Sequence, residues 1–222
     1  TKEYEKGVTA FQIAQSISER LAKETLAAKV NGSVVDIFRS LNNDSEIRFL
    51  TFDDDEGKEV YWHSSSHLMA HAIKSLYPEA KFGVGPAIDN GFYYDFDINT
   101  KLTEEDLVKI ENQMQTISKD DKSFERVELS KQKAIDFFKE QDDQYKLEIL
   151  NELDENSETI SIYSEGSFTD LCTGPHLPSA GKIKYVKLLG VSGSYWRGNE
   201  KNKQLQRIYG VSFPKKKMLD EH

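Results

Sequence analysis

Tyr61-Trp62-His63-Ser64-Ser65-Ser66-His67-Leu68-Met69-Ala70-His71-Ala72-Ile73-Lys74-Ser75-Leu76-Tyr77 carries histidines at successive intervals of four. Residues four apart on an α-helix are rotated by only about 40° from each other, so this spacing stacks His63, His67 and His71 along one stripe. Leu68, Met69, Ala72, Ile73 and Leu76 fall on another arc and predict a core-facing side, and Pro78 stops the helix. Far downstream, Asp170-Leu171-Cys172-Thr173-Gly174-Pro175-His176 holds the sole cysteine and the one remaining histidine apart from His222. Nearly all the imidazoles and the only thiol thus fall in two short motifs, which marks a site.

Upstream of the histidine helix the chain reads as a small separate unit. Thr9-Ala10-Phe11-Gln12 fits a capping box, and the Val8/Ile13 pair a hydrophobic staple. A helix over about 10–22 follows, with Ile13, Ile17 and Leu21 on one face. Strands are expected over 27–30, 34–36 and 46–51, the first two joined by Asn31-Gly32, a strong hairpin signal. The acidic run Phe52–Glu59, with its glycine, is the expected domain junction.

Beyond the helix, Lys81–Pro86 is glycine-punctuated and lacks the Lys-Ser/Thr of a phosphate-binding loop. Phe92, Tyr94, Phe96 and Ile98 alternate with Tyr93, Asp95 and Asp97, as in a half-buried strand. Thr103 caps a helix carrying Leu107, Ile110, Met114 and Ile117, and Ser130 caps another. A shorter helix over 145–153 contains Lys146. Strands are expected over 159–163, 183–189, 194–197 and 205–213, with glycines between them, which predicts mostly antiparallel pairing. The fold class is therefore α+β, a small unit followed by a larger one. Residues 215–222 read as a charged exit.

The chain has no apolar run long enough for a membrane span and no secretory leader at its start. Its single cysteine fits a reducing compartment, so a cytoplasmic location is expected. The net charge of −9 argues against a polyanionic partner, but residues 181–217 alone carry +9, leaving −18 on the rest. A polyanion would meet that stretch first.

His-x-x-x-His on a helix with Cys-x-x-x-His in a loop makes a plausible zinc set from His63, His67, Cys172 and His176. It is not the metalloprotease helix, since no Glu lies between the histidines. The same residues also support a metal-free reading, in which near-neutral imidazoles activate water while Asp170, Lys146 or Tyr94 orients a substrate.

Three long motifs, His63–Lys74, Gly85-Pro86-Ala87-Ile88-Asp89-Asn90-Gly91-Phe92-Tyr93-Tyr94-Asp95 and Phe168–His176, closely resemble the N-terminal editing region of bacterial threonyl-tRNA synthetases. Tyr195-Trp196-Arg197-Gly198 and Leu205-Gln206-Arg207-Ile208-Tyr209-Gly210 match that family as well. The resemblance covers nearly the whole chain in order and spacing. It implies a ubiquitin-like β-grasp (TGS-like) domain over 1–52 whose first strand would precede Thr1, an editing domain over 53–214, and a linker from 215–222 toward a catalytic domain. The piece would then not aminoacylate, and would be monomeric.

The implied activity is hydrolysis of serine wrongly esterified to threonine tRNA. Serine lacks only threonine's methyl, and one such group discriminates by only about 1–3 kcal/mol in a pocket, so a second sieve is needed. By the resemblance, His63, His67, Cys172 and His176 line the pocket. Asp170 and Lys146 match positions near the seryl group and its ribose, Tyr94 matches a wall, and Gly85, Pro86 and Asp89 lie in the substrate-binding motif. Lys146 and His63 position or activate water, and His71 only supports. The partners implied are the seryl-bearing 3′ end of threonine tRNA and the rest of the synthetase chain, with no membrane. No cofactor is expected, zinc at the four-residue set being the alternative. Two other readings use the same motifs: a zinc-dependent deacylase of the alanyl editing type, and a non-catalytic tRNA-binding regulatory module.

Overall fold

Thr9, extended at φ −100°, accepts the Gln12 N–H while the Gln12 side chain returns to the Thr9 backbone, so the first helix begins at the expected capping box. The structure, a computed structural model describing residues 1–153 and 159–222, opens with β1 (Val8–Thr9), α1 (Ala10–Ile17) and α2 (Glu19–Glu24). The single helix expected over 10–22 is two. Ser18 is extended between them and caps the second by accepting from Leu21 N–H, the competition between a serine side chain and helical backbone. Strands β2 (Ala27–Val30), β3 (Ser33–Val35), β4 (Ser40–Leu41) and β5 (Ile47–Leu50) complete this part. They form an antiparallel β3-β2-β5 sheet and a β1-β4 pair, with Asn31 and Gly32 at positive φ in the hairpin turn.

The acidic run at the expected junction is itself structured. Asp54 accepts from Thr51 N–H and pairs with Arg48, and Asp55 and Glu56 form the first turn of α3 (Asp55–Leu76), where acids suit the helix dipole. A Cβ on Gly57 would lie 1.8 Å from the Thr51 carbonyl oxygen, so the glycine serves a close helix–strand approach. The histidine helix therefore starts six residues earlier than its hydrophobic pattern shows. From Val60 to Ile73 nearly every side chain of α3 is buried, serines included.

Around α3 lie β6 (Lys81–Phe82), β7 (Ala87–Ile88), β8 (Gly91–Asp97), α4 (Glu104–Asp120), β9 (Phe124–Leu129), α5 (Lys131–Glu140), α6 (Gln144–Glu152), β10 (Ile160–Glu165), β11 (Phe168–Leu171), β12 (Tyr185–Tyr195), β13 (Gln204–Phe213) and α7 (Lys216–Glu221). The larger antiparallel sheet runs β12-β13-β8-β6, with β7 also on β8, and a smaller one runs β11-β10-β9. The architecture is mixed α+β with antiparallel sheets, as expected. The two strands expected over 183–197 are one, β12, with a register shift at Leu188/Gly190. Within the expected exit 215–222, α7 (Lys216–Glu221) packs Met218 and Leu219 on the core.

One apolar core joins both parts. Leu26, Ala27, Leu50 and Phe52 are continuous with Tyr61, Leu68, Met69 and Ile73 of α3 and with Phe92, Tyr94 and Phe96 of β8. Phe52 sits edge-on to Tyr61 at 4.9 Å, and Tyr163 and His176 both bond to Asp36 from the first part. Among the described residues no helix is long and apolar enough to cross a membrane.

Candidate active site

Helix α3 supplies His63 and His67 from successive turns, and the loop after β11 supplies Cys172 and His176. His63 Nε2 is 3.0 Å from Cys172 Sγ, and Cys172 Sγ is 3.3 Å from His176 Nε2. The His63 and His176 rings stack at 4.5 Å, and His67 meets His176 edge-on at 4.3 Å. The outer face of His176 is closed by Phe124, stacked at 5.0 Å.

The outer nitrogens of these rings are held. His63 Nδ1 lies 3.1 Å from the Gly85 carbonyl, which can only accept, so the proton sits on Nδ1 and Nε2 is left as an acceptor. His176 Nδ1 contacts Ser64 Oγ at 3.0 Å, and His67 Nδ1 lies 3.5 Å from Asp170 Oδ2. Ser66 also donates to the Gly85 carbonyl, fixing the β6–β7 segment that holds His63.

Beside the imidazoles lies a buried charge pair. Lys146, from α6, directs its ammonium at Asp170 Oδ1 (2.6 Å), the Gly83 carbonyl (2.7 Å) and Tyr94 Oη (3.1 Å). Tyr94 Oη donates to Asp170 Oδ2 at 2.5 Å. Lys146 thus donates hydrogen bonds to the Gly83 carbonyl and Tyr94 and forms a buried ion pair with Asp170.

Burial sets the protonation states. It pushes His67 and His176 well below the ordinary imidazole value, with neighbouring imidazoles adding to the effect. His63 is lowered as well, again by burial, with the bond to Gly85 opposing. The Cys172 thiol is pushed up to about 12 by burial, and the Tyr94 phenol well above its usual value by burial and then Asp170. At neutral pH the cluster is three uncharged imidazoles and a thiol.

His63, His67 and Cys172 open, with Lys146 and Asp170, onto a cavity of about 610 Å³ lined also by Tyr94, Ile149, Ile160 and Thr173, whereas the buried His176 does not line it. A second cavity of about 890 Å³ shares His63, Pro86 and Thr173 with it. Gly85 and Pro86 form the edge between the two. A Cβ on Gly85 would lie 2.1 Å from the Tyr94 ring, so that position admits no side chain. Asp89 is exposed at the β7–β8 turn and lines the second cavity but not the first, onto which His67, Cys172 and Lys146 open. His71 also stands apart: its Nδ1 pairs with Glu165 at 2.5 Å and its ring stacks on Phe168 at 6.0 Å.

Several site residues escaped the sequence reading. Ser64, Ser66 and the Gly83 carbonyl hold first-layer groups. Three consecutive serines in a helix interior, where hydroxyls compete with backbone, were a usable signal for the first two. Asp36 and Tyr163 carried none.

The donor set suits a metal in kind. His63, His67, Cys172 and His176 offer ligand atoms within 4.8 Å of one another, and the outer nitrogens have the carbonyl, carboxylate and hydroxyl partners that orient metal-bound imidazoles.

The basic stretch 181–217 is less free than its sequence implies. Lys187 pairs with Glu111, Arg197 with Glu152, Lys203 with Asp97, and Arg207 with Asp95 in a two-pronged contact.

A family model described as the TGS domain matches residues 1–51, and one described as the threonyl and alanyl tRNA synthetase second additional domain matches 160–209. The whole chain is 54% identical to a threonine–tRNA ligase of Caldanaerobacter subterraneus subsp. tengcongensis, covering 34% of that protein. It is 52% identical to one of Desulforamulus reducens and 53% to one of Porphyromonas gingivalis, covering 35% and 34% of them. The chain spans about a third of the length of these relatives. Over all its residues it belongs with the N-terminal region of the threonyl-tRNA synthetase family, a TGS domain followed by the threonyl and alanyl tRNA synthetase second additional domain.

Proposed function

We propose that this chain carries the post-transfer editing site of a threonyl-tRNA synthetase and hydrolyses the ester joining serine to the 3′ end of threonine tRNA. The observation that carries the reading is the convergence of His63, His67, Cys172 and the Lys146–Asp170 pair on one cavity wall, with His176 packed against the imidazoles and the thiol from inside the protein. In this reading His63 Nε2, held as an acceptor by the bond at Nδ1, takes the proton from the attacking water as its oxygen adds to the ester carbonyl carbon. The proton then passes to the ribose oxygen as the ester C–O bond breaks. Lys146 contributes fixed positive charge near the developing oxyanion, a role worth several kcal/mol in a site that excludes water.

A cavity of about 610 Å³ is far larger than serine. It has room for the terminal nucleoside, so selection against threonine's methyl falls to the end lined by His67, Tyr94 and Asp170, all buried. The four donors His63, His67, Cys172 and His176 would be the ones to hold a zinc ion, which would supply Lewis-acid polarisation there. The hydrolysis proposed does not use one.

The experiment is deacylation of seryl-, threonyl- and alanyl-tRNA by this chain. Release of serine with threonyl-tRNA left intact supports the reading. Release of alanine alone would favour a deacylase of the alanyl type, and binding without hydrolysis a tRNA-binding module.

A further inference from the structure

We propose that Asp36, in the N-terminal β-grasp-like part, is a positioning residue of the hydrolytic site, holding the loop that carries Cys172 and His176. The role rests on the editing reading above, but the contact itself does not. Asp36 follows β3 and uses both carboxylate oxygens on the other part of the chain. Oδ1 accepts the His176 backbone N–H at 2.9 Å, and Oδ2 accepts the Tyr163 hydroxyl at 2.8 Å. Among the described residues, no bond within the larger part serves either donor in place of Asp36.

Both partners bear directly on the site. Tyr163 pairs across strands with Asp170, its ring lies 4.5 Å from the His176 ring, and its hydroxyl fills the space where a side chain on Gly174 would go. Gly174 in turn donates its N–H to Cys172 Sγ at 3.2 Å. One carboxylate therefore fixes His176 from its backbone and Cys172 through Tyr163 and Gly174. Without it, a buried hydroxyl and a loop N–H lose their acceptor together. A misplacement of about 1 Å in a catalytic group can lower a rate by roughly 100-fold.

The test uses the sole cysteine as a reporter of loop position. Asp36→Ala should raise the rate of Cys172 alkylation by iodoacetamide by about 10-fold or more and lower kcat for seryl-tRNA deacylation by about 10- to 100-fold with KM little changed. Asp36→Asn, which retains an acceptor for His176 N–H, should restore most of both. Ile37→Ala, which removes a buried side chain next to Asp36 without touching these bonds, controls for loss of stability and should leave alkylation near the wild-type rate. Unchanged alkylation in Asp36→Ala, or an equal rise in Ile37→Ala, overturns the proposal. Should alkylation respond as stated while the wild-type chain deacylates nothing, the clamp stands and the editing reading falls.

Discussion

Lys146 Nζ stands 2.6 Å from Asp170 Oδ1, in side chains only 3% and 2% exposed. Two charges so far withdrawn from water hold each other in place, and removing one leaves the other buried and uncompensated, at a cost of about 3–5 kcal/mol. Lys146→Ala should therefore lose both stability and deacylation. A double change, Lys146→Met with Asp170→Leu, should recover most of the stability and none of the activity, because it removes both charges together. Urea unfolding alongside single-turnover deacylation separates the two effects. Undiminished hydrolysis by a folded Lys146→Ala protein would remove Lys146 from the mechanism.

Burial of the imidazoles fixes the sign of the pH dependence. His63, His67 and His176 all have folded-state values below the ordinary 6.5. Once pH falls below that value the unfolded chain takes up protons that the folded chain refuses, so stability is full above about 6.5 and declines as pH drops toward the folded values. Urea midpoints should be level from pH 7 to 8 and fall on the acid side. The fall should be shallower in His176→Gln, whatever that change does to stability at pH 7. Deacylation should keep its rate somewhat below pH 6.5, since His63 remains neutral there.

Three of the four donors that could hold zinc already meet one another at hydrogen-bonding distance, His63 to Cys172 and Cys172 to His176. Chain purified without chelators should contain far less than one zinc per molecule, and deacylation should survive prolonged treatment with EDTA. Stoichiometric zinc together with chelator-sensitive activity would reverse this and make Cys172 a thiolate ligand.

How much of this could be read beforehand follows from the reach of each signal. The His63/His67 spacing and the Cys172–His176 motif are local patterns of rare residue types, so both walls of the site were legible, as were the caps at Thr9, Thr103 and Ser130. Strand β9 was not: Phe124-Glu125-Arg126-Val127-Glu128-Leu129 mixes charge onto both faces and owes its conformation to pairing with β10. The start of α3 was hidden because acids at a helix N-terminus look like a solvated linker when only hydrophobic spacing is followed. Asp36 was least accessible of all. One aspartate after a hairpin acquires its role through partners 127 and 140 residues away, and only the folded chain brings them together.

Two glycines with nearly the same backbone provide the sharpest check on the loop. Gly174 has φ +70° and Gly198 φ +68°, so alanine at either is strained by about 1–3 kcal/mol. At Gly198 a Cβ would meet nothing within 4 Å, whereas at Gly174 it would lie 2.0 Å from the Tyr163 hydroxyl. Gly198→Ala should show the backbone strain alone and keep its deacylation rate. Gly174→Ala should add a packing cost of about 1–3 kcal/mol, push Tyr163 from Asp36, and lose most of the activity. Thermal unfolding and deacylation measured side by side give the comparison. Equal losses in the two variants would mean that the Tyr163 contact neither shapes the Cys172–His176 loop nor matters to its chemistry.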